Sequence, residues 1–266
     1  MNIFLREIKA YRGSTLVWIL SLCTLATMFL FMFPAFSKDV DATRAIMANL
    51  PAAVRDALDI SLANFFTIYG FFAYIFTFAT LAGAVQAMNL GVGIMSKEDS
   101  VKTVDFLLTK PISRFKVFVS KFLASFGLIL ITNFIFSSVS YSVASIVSMD
   151  GLDIQIFSLI LASFFLIQLF FLALGILISM LINKIRSPIT VTLPTVFGFF
   201  IIGMLGSIIG NDNVRYICPF KFYDLNYVIN KGAYEMNYLY VELVVVFIAI
   251  IASYLIYSRK DIKAAS

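Results

Sequence analysis

The sequence contains no histidine and only two cysteines. The absence of histidine removes the commonest general base and the commonest metal ligand. Cys23 lies in an apolar run and Cys218 in a polar segment, and they form neither a Cys-x-x-Cys motif nor a plausible pair, so no disulfide or thiolate metal site is predicted. The motifs G-x-S-x-G, H-E-x-x-H and G-x-x-x-x-G-K-S/T are also missing. The chain is therefore not expected to be an enzyme or to hold a metal.

Charged residues are also scarce. They make up 13% of the chain, whereas apolar residues make up 61%, and soluble domains have about a quarter and about half. Six apolar runs reach the roughly 20 residues needed to cross about 30 Å of hydrocarbon. The first run is too long for the apolar region of a cleavable signal peptide. The sequence predicts an all-α polytopic membrane protein with one transmembrane domain, 1–266, and spans at about 15–36, 62–93, 117–147, 154–182, 188–209 and 238–258.

Lysine and arginine are distributed unequally between the segments that flank these runs. If both termini lie on one side, that side holds fourteen basic residues and the other side holds six. Basic residues accumulate on the cytoplasmic side of membrane proteins. Both termini are therefore predicted to lie in the cytoplasm at the cytoplasmic membrane, and the segment 210–237 outside it. This topology accounts for the net charge of +5 without a nucleic-acid partner.

The first fourteen residues have the pattern of an amphipathic helix. Arg6 and Lys9 lie on one side of a helical wheel, opposite an apolar stripe that consists of Phe4, Ile8 and Tyr11. A short helix with two such faces binds flat in the membrane interface. The sequence therefore predicts an interfacial helix over 1–14, in contact with membrane lipids.

The predicted spans contain almost no charge. An ion-coupled carrier usually keeps a charged residue in its spans, because protonation or ion binding must act there, so this composition counts against such a carrier. Glu242 lies near the outer end of the last span, and the deep polar residues are the amides Gln86, Asn89, Asn133 and Gln168. Two interpretations of the amides stay open. They form hydrogen bonds between helices, or they line a polar path for a substrate.

Small residues recur at helical spacing in the fifth span. Gly203, Gly206 and Gly210 lie on nearly one face, and the last two form a Gly-x-x-x-Gly motif. Small residues allow two helix backbones to approach closely. This face is predicted to pack either within the chain or against a second copy.

The connection 96–116 between the second and third spans is the most charged region of the chain. Ser96 is predicted to begin a helix and Pro111 to end it. An apolar stripe on this helix comprises Val101, Val104, Leu107 and Leu108, and the opposite face comprises Asp99, Lys102, Thr103 and Phe106. The aromatic on the polar face favours a helix held between two protein layers, while the alternative is a basic loop that only sets the topology. Beyond it, the basic side chains expected to snorkel to the lipid headgroups are Arg114, Lys116 and Lys121.

The same stretch resembles the first intracellular loop of type-2 ABC exporter permeases. Those proteins carry a short coupling helix with an acidic residue, a Leu-Leu pair, a proline and Ile/Val-Ser-Arg, followed by Lys-x-Leu at the start of the next span. The matching positions are Asp105, Leu107, Leu108, Pro111, Ile112, Ser113, Arg114, Lys121 and Leu123. Many members have Gly-Thr-Leu-Glu where this chain has Val101 to Asp105. The segment 216–229 is similar to a Ser-Pro-Phe/Pro-x-x-Tyr/Phe pattern between spans five and six of the family.

The resemblance implies the membrane half of an ATP-driven exporter. In that family the coupling helix docks on a separate cytoplasmic ATPase, which holds the ATP and Mg²⁺, and a six-span permease pairs with a second copy or a related permease. The residues expected to meet the ATPase are Asp99, Lys102, Thr103, Asp105, Phe106 and Arg114, and those expected to pack against the spans are Val101, Val104, Leu107 and Leu108. Two other classes stay open: an ion-coupled secondary transporter, and a membrane scaffold or sensor that binds an ATPase-like partner without moving a substrate.

Overall fold

The structure, a computed structural model, describes residues 3–38, 40–57, 64–101, 113–148, 151–182, 184–210 and 212–259. Within these ranges all regular structure is helical. A helix satisfies its own backbone hydrogen bonds, which is a requirement for a segment surrounded by lipid. The helical fold and the apolar composition therefore point to the same environment.

The α-helices and their bounds are α1 (Ile3–Lys38), α2 (Val40–Ala48), α3 (Ala52–Ala57), α4 (Ile68–Val101), α5 (Arg114–Val147), α6 (Ile154–Leu181), α7 (Pro188–Ile209), α8 (Leu225–Lys231) and α9 (Met236–Arg259). Two 3₁₀ helices, Asp212–Tyr216 and Pro219–Lys221, lie between α7 and α8. Six of the described helices, α1, α4, α5, α6, α7 and α9, are long and apolar enough to cross a membrane. The predicted all-α fold with six membrane spans is confirmed.

α1 is one unbroken helix, so the predicted interfacial helix over 1–14 is not confirmed as a separate element. Its first turns are held by tertiary packing, because the predicted lipid-facing stripe lies against the protein's own buried core; the stripe is Phe4, Ile8 and Tyr11. This packing offsets the cost of about 1 kcal/mol that a glycine such as Gly13 brings to a helix interior. The amphipathic pattern therefore reports a contact between helices.

α4 and α6 form the centre of the bundle, and glycines bring their backbones together. A Cβ atom on Gly91 of α4 would lie 2.6 Å from the carbonyl oxygen of Leu172, and one on Gly175 of α6 would lie 2.6 Å from that of Met88. Neither position has room for a larger residue. Close packing of this kind holds membrane helices together, because lipid supplies no hydrophobic driving force between them.

Local sequence sets where several helices begin and end. Asp153 accepts hydrogen bonds from the backbone N–H groups of Gln155 and Ile156 and so caps α6. Pro188 occupies the first turn of α7, where its missing N–H leaves no bond unmade. α7 ends at Gly210, whose φ of 69° is the left-handed conformation that glycine adopts readily.

α4 continues past the predicted end of the second span and stops at Val101. Ser96 is buried inside this helix, so the prediction that it begins a separate helix is wrong. Near the end of α4, Lys97 forms an ion pair with Glu7 of α1. Most of the predicted coupling helix lies outside the described residues. This applies to the predicted ATPase-contact residues Lys102, Thr103, Asp105 and Phe106, to the predicted packing residues Val104, Leu107 and Leu108, and to the side chains of Asp99 and Val101.

Candidate functional site

The segment predicted to meet an ATPase is flanked by α4 and α5. The segment 96–116 overlaps the last described residues of α4, to Val101, and the first residues of α5, from Arg114. Ser113 caps α5 by accepting a hydrogen bond from the backbone N–H of Lys116 at 3.3 Å. The ends of two further helices lie beside these two. This group of helix ends is termed the loop frame and comprises residues 4–11, 94–97, 113–121 and 254–259.

Arg114, one of the residues predicted to meet the ATPase, joins α5 to the end of α9. Its Nη1 atom donates to the carbonyl oxygen of Ser258 at 2.7 Å, an arrangement that also places a cation at the carboxyl end of a helix. One turn later, the ring of Phe118 lies 5.6 Å from that of Tyr254 and 5.8 Å from that of Tyr257, measured between centroids. A polar contact and aromatic packing together hold α9 in the loop frame.

The prediction that Lys121 reaches the lipid headgroups is wrong. Only 1% of its surface is exposed, and its Nζ atom donates to the carbonyl oxygen of Ile94 at 2.9 Å. A buried ammonium is tolerated only where polar groups replace the water it has lost. Lys121 therefore attaches α5 to α4 about two turns before α4 ends.

A buried carboxylate attaches α1 to α4 in the same loop frame. Glu7 has no exposed surface, and its two oxygens lie 3.0 Å from Nη2 of Arg6 and 3.5 Å from Nζ of Lys97. The Lys97 ammonium also lies 5.5 Å from the centre of the Tyr11 ring, within cation–π range. No sequence pattern predicted a role for Glu7. The sequence feature that could have identified it is that Glu7 is the only acidic residue before Asp39.

Three of the four predicted amides meet at the centre of the bundle. The Oε1 atom of Gln168 accepts a hydrogen bond from Nδ2 of Asn133 at 2.5 Å, and its Nε2 atom donates to Oε1 of Gln86 at 3.2 Å. Gln86 donates in turn to Oγ1 of Thr132 at 2.9 Å, and Gln168 also donates to the Gly83 carbonyl at 3.2 Å. This amide network connects α4, α5 and α6.

The amide network is almost completely enclosed. Asn133 has 7% of its surface exposed, Gln86 has 3%, and Gln168 has none. Buried amides that hydrogen-bond to one another form stable contacts between helices. The Oδ1 atom of Asn133 is buried without a partner among the described residues. This arrangement favours the packing interpretation over a substrate path for these three residues. Asn89 is half-buried farther along α4 and is not a member of the network.

The predicted glycine face of α7 packs within the chain. A Cβ atom on Gly203 would lie 2.6 Å from Sγ of Cys218, and one on Gly206 would lie 2.5 Å from Cγ1 of Val214. Gly210 ends the helix. Packing inside the chain therefore accounts for Gly203 and Gly206, and the partner surface is the segment 212–224, termed the connecting segment.

Cys218 is buried beneath this face although it belongs to a polar segment. Its thiol donates to the carbonyl oxygen of Phe199 at 3.1 Å, and none of its surface is exposed. The two 3₁₀ helices on either side fold the connecting segment back onto α7. The sequence did not predict this burial, because it depends on the space left by Gly203.

A cavity of about 290 Å³ lies beside the glycine face. Its walls come from the first part of α4, the middle of α6, the second half of α7 and the connecting segment, and it is termed the α4–α7 cavity. Aromatic and aliphatic side chains dominate its inner part, including Phe76, Ile167 and Phe200. The charged residues among the described lining residues are all in the connecting segment: Arg215, Lys221 and Asp224.

Ion pairing organises the charged end of the α4–α7 cavity. Arg215 forms an ion pair with Glu235, and its guanidinium carbon lies 4.1 Å from the centre of the Tyr238 ring. Burial disfavours the charge on Arg215, but the hydrogen bond and the charge of Glu235 raise its pKa, so the guanidinium stays charged. Asp224 caps α8 by accepting two backbone N–H groups.

A tyrosine of the cavity wall anchors the connecting segment to α9. Tyr223 donates a hydrogen bond to Oε2 of Glu242 at 2.5 Å, and both side chains are buried. Burial, together with the charge and hydrogen bond of Glu242, raises the pKa of the Tyr223 phenol, which therefore stays protonated as a donor. The acidic residue predicted near the outer end of the last span thus has a structural partner.

Comparison with known proteins gives one family. Residues 1–262 match the family model described as ABC-2 family transporter protein. The match spans the loop frame, the amide network and the α4–α7 cavity together. No curated protein matches the chain significantly.

Proposed function

The chain belongs to the ABC-2 transporter family, and from this membership we propose that it is the permease subunit of an ATP-driven exporter. Members of this family are membrane transport components that generally work with an ATP-binding subunit. In the proposal, a separate cytoplasmic ATPase docks on the segment 96–116 and supplies the energy. A second permease, identical or related, completes the transporter.

The observation that carries the proposal is the family match over residues 1–262. It covers the six helices that are long and apolar enough to span a membrane. The distribution of basic residues supports an orientation with both termini and the segment 96–116 in the cytoplasm. The ATPase would then meet the loop frame, and the connecting segment would lie at the outer surface.

The contacts of the loop frame would transmit a force on the docking segment to the spans. The segment continues directly into α4 and α5, and buried or partly buried polar contacts add α1 and α9. These contacts are Lys121–Ile94, Glu7–Lys97 and Arg114–Ser258. Rigid helices that are joined at one end transmit a displacement together. Because α4 also lines the α4–α7 cavity, its tilt would change the shape of that cavity.

The proposal is tested by co-expressing the chain with ABC ATPases of the same organism, beginning with any that a neighbouring reading frame encodes. We expect the two proteins to co-purify. We also expect ATP hydrolysis to depend on the ATPase, since the motif G-x-x-x-x-G-K-S/T does not occur in this sequence. A matched ATPase whose Walker A lysine is replaced by alanine should still bind the permease but hydrolyse no ATP.

Two results would contradict the proposed function. One is robust ATP hydrolysis by the purified chain in a preparation free of any ATPase. The other is failure of the two folded subunits to associate under any nucleotide condition. A complex that binds and hydrolyses ATP without moving a substrate across a vesicle membrane would instead identify a scaffold or sensor.

A further inference from the structure

The α4–α7 cavity takes no part in the loop frame or the amide network. Its volume of about 290 Å³ lies at the lower end of the roughly 300–1,000 Å³ that small-molecule sites occupy. A space of this size is comparable with the volume of one apolar chain.

The inner wall of the cavity is mostly apolar. Phe76, Ile167 and Phe200 come from three different helices, and Phe220 of the connecting segment completes the wall. A surface of this kind binds a ligand by removing the ligand's apolar area from water. It selects for hydrocarbon without specifying a polar group.

Four hydroxyl side chains interrupt the apolar wall, but each donates its proton to the backbone of its own helix. The hydroxyls of Thr77, Thr80, Ser163 and Ser207 lie 3.4, 2.9, 2.7 and 3.3 Å from the carbonyl oxygens of Ala73, Thr77, Ile160 and Gly203. Their exposed lone pairs are weak acceptors and offer no site for an anion. Among the described lining residues, none on α4, α6 or α7 is charged, so the inner part suits an uncharged chain.

The opposite end of the cavity carries the charge. Arg215 and Lys221 supply two cations, and two carboxylates accompany them. Glu235 pairs with Arg215, and Asp224 accepts two backbone N–H groups of α8. Arg215 is held in place by Glu235 and Tyr238. Asp224 is exposed, so this charged end reaches the surface of the protein.

We propose that the α4–α7 cavity binds a single-chain amphiphile, with its hydrocarbon tail among Phe76, Ile167 and Phe200 and its anionic head beside Arg215 and Lys221. A carboxylate and a phosphate share the chemistry that this end recognises. As the cargo class of the permease, this ligand rests on the proposed function; the binding itself requires no ATPase.

Binding is measured on the purified full chain in nanodiscs of phosphatidylcholine. The probes are radiolabelled oleate, radiolabelled oleoyl-lysophosphatidate and the uncharged single-chain lipid monoolein. We expect saturable binding of both anionic probes to one site. Monoolein should bind with an affinity at least about fivefold lower. Empty nanodiscs give the partition of each probe into lipid. A preference between the two anionic probes identifies the head group.

Two pairs of variants locate the site. Ser207→Phe fills the cavity from α7 and should weaken binding of every probe by about tenfold or more, whereas Ser142→Phe, on the exposed surface of α5, should not. Lys221→Gln should weaken only the anionic probes, by about three- to tenfold, whereas Lys231→Gln outside the cavity should leave them unchanged. If Ser207→Phe does not fold, Thr77→Phe fills the cavity from the opposite wall.

Three results would overturn the proposal: no saturable binding of either anionic probe, unchanged binding in the folded cavity-filling variant, or equal affinity for monoolein and oleate. Failure here with a chain that still co-purifies with its ATPase leaves the proposed function intact. Conversely, binding by a chain that associates with no ATPase supports the cavity and contradicts the exporter. ATP-dependent movement of the bound probe across vesicles containing the complex would assign it as cargo.

Discussion

Nζ of Lys97 near the end of α4 lies 3.5 Å from the carboxylate of Glu7 in α1. The two partners differ in exposure, since 42% of the Lys97 side chain is accessible but only 1% of the Glu7 side chain. The carboxylate has therefore lost its water while the ammonium has not. A buried charge depends more on its partner than an exposed charge does, so the two residues are not equivalent in stability.

Replacing Lys97 by Met is expected to destabilise the protein by about 1–2 kcal/mol, because it leaves the Glu7 charge buried with Arg6 as its remaining cation. Glu7→Gln should cost less, since it removes the buried charge itself. The double variant should recover part of the loss from Lys97→Met. Thermal unfolding of the purified protein in detergent measures each effect, at roughly 2–4 °C per kcal/mol.

Lys116→Met is the matched control for this pair, since Lys116 is exposed at the start of α5. It should change the unfolding temperature little. Equal losses for Lys97→Met and Lys116→Met would show that the contact with Glu7 does not contribute to stability.

The amide network predicts a second stability effect. Gln168→Leu fills the same space with an apolar side chain of similar size. It removes the hydrogen-bond partner of Asn133, of Gln86 and of the Gly83 carbonyl. Hydrogen bonds between membrane helices contribute roughly 0.6 kcal/mol each, so we expect a loss of about 1–2 kcal/mol. Gln155→Leu, an exposed glutamine on the same helix, serves as the control. A stabilising Gln168→Leu would mean that the amide is kept for function rather than for packing.

Gly203 predicts a steric effect with a specific rescue. Gly203→Ala places a methyl group 2.6 Å from the Cys218 sulfur and should destabilise the fold by about 1–3 kcal/mol through overpacking. Cys218→Ala in the same chain removes that sulfur and should restore most of the stability. Gly198→Ala, at a helical position with no atom within 4 Å, should instead stabilise by about 0.5–1 kcal/mol. If Cys218→Ala does not restore stability, the strain caused by Gly203→Ala does not come from the contact with the Cys218 sulfur.

The burial of Cys218 changes how topology is measured. We expect the native thiol to resist an impermeant maleimide until the protein is unfolded, because none of its surface is exposed. In a chain with both native cysteines replaced by serine, Ile217→Cys should react in intact cells, since Ile217 is 64% exposed. Ser100→Cys should react only after the membrane is permeabilised. The reverse pattern would invert the proposed orientation.

The docking segment predicts an effect on partner binding. Phe106→Ala should weaken association with the ATPase by about tenfold or more, because burying an aromatic side chain is worth roughly 1.5–3 kcal/mol. Val104→Ala should lower yield or stability instead, since that residue is predicted to face the spans. Co-purification of the ATPase, measured with the expression level of each variant, separates the two effects. If Phe106→Ala still associates normally with the ATPase, Phe106 is not the contact. The alternative interpretation, a basic loop that only sets the topology, would then be favoured.

The apolar runs predicted the helices because lipid requires both length and composition. The run at 154–182 corresponds to α6, which Asp153 caps in the structure. The run at 62–93 corresponds to a helix that extends to Val101. Hydropathy could not find that end, because the last turns are polar and are held by Glu7 of a different helix.

The candidate site could be predicted where a residue type is unusual for its position in the sequence. It could not be predicted where a residue's role depends on contacts between distant parts of the chain. The amides Gln86, Asn133 and Gln168 stood out as polar groups in apolar runs. Lys121 was misplaced because a lysine at the start of a span resembles an interfacial anchor, and only the fold shows that its ammonium meets the carbonyl of Ile94. The α4–α7 cavity is formed by four separate parts of the chain, so no local pattern predicts it.

The unbroken course of α1 has a mechanical consequence. A helix of 36 residues is about 54 Å long at 1.5 Å per residue, whereas the hydrocarbon layer is about 30 Å thick. The helix is continuous across the boundary of the layer, so a tilt of the part beyond the layer also tilts the part inside. Each degree of rotation about one end moves the other end by about 1 Å over this length. A small tilt of α1 near Glu7 therefore moves the far end of the helix sideways in the membrane. Inserting a flexible glycine pair after Gly13 would uncouple the motion of the far end from that of the part around Glu7.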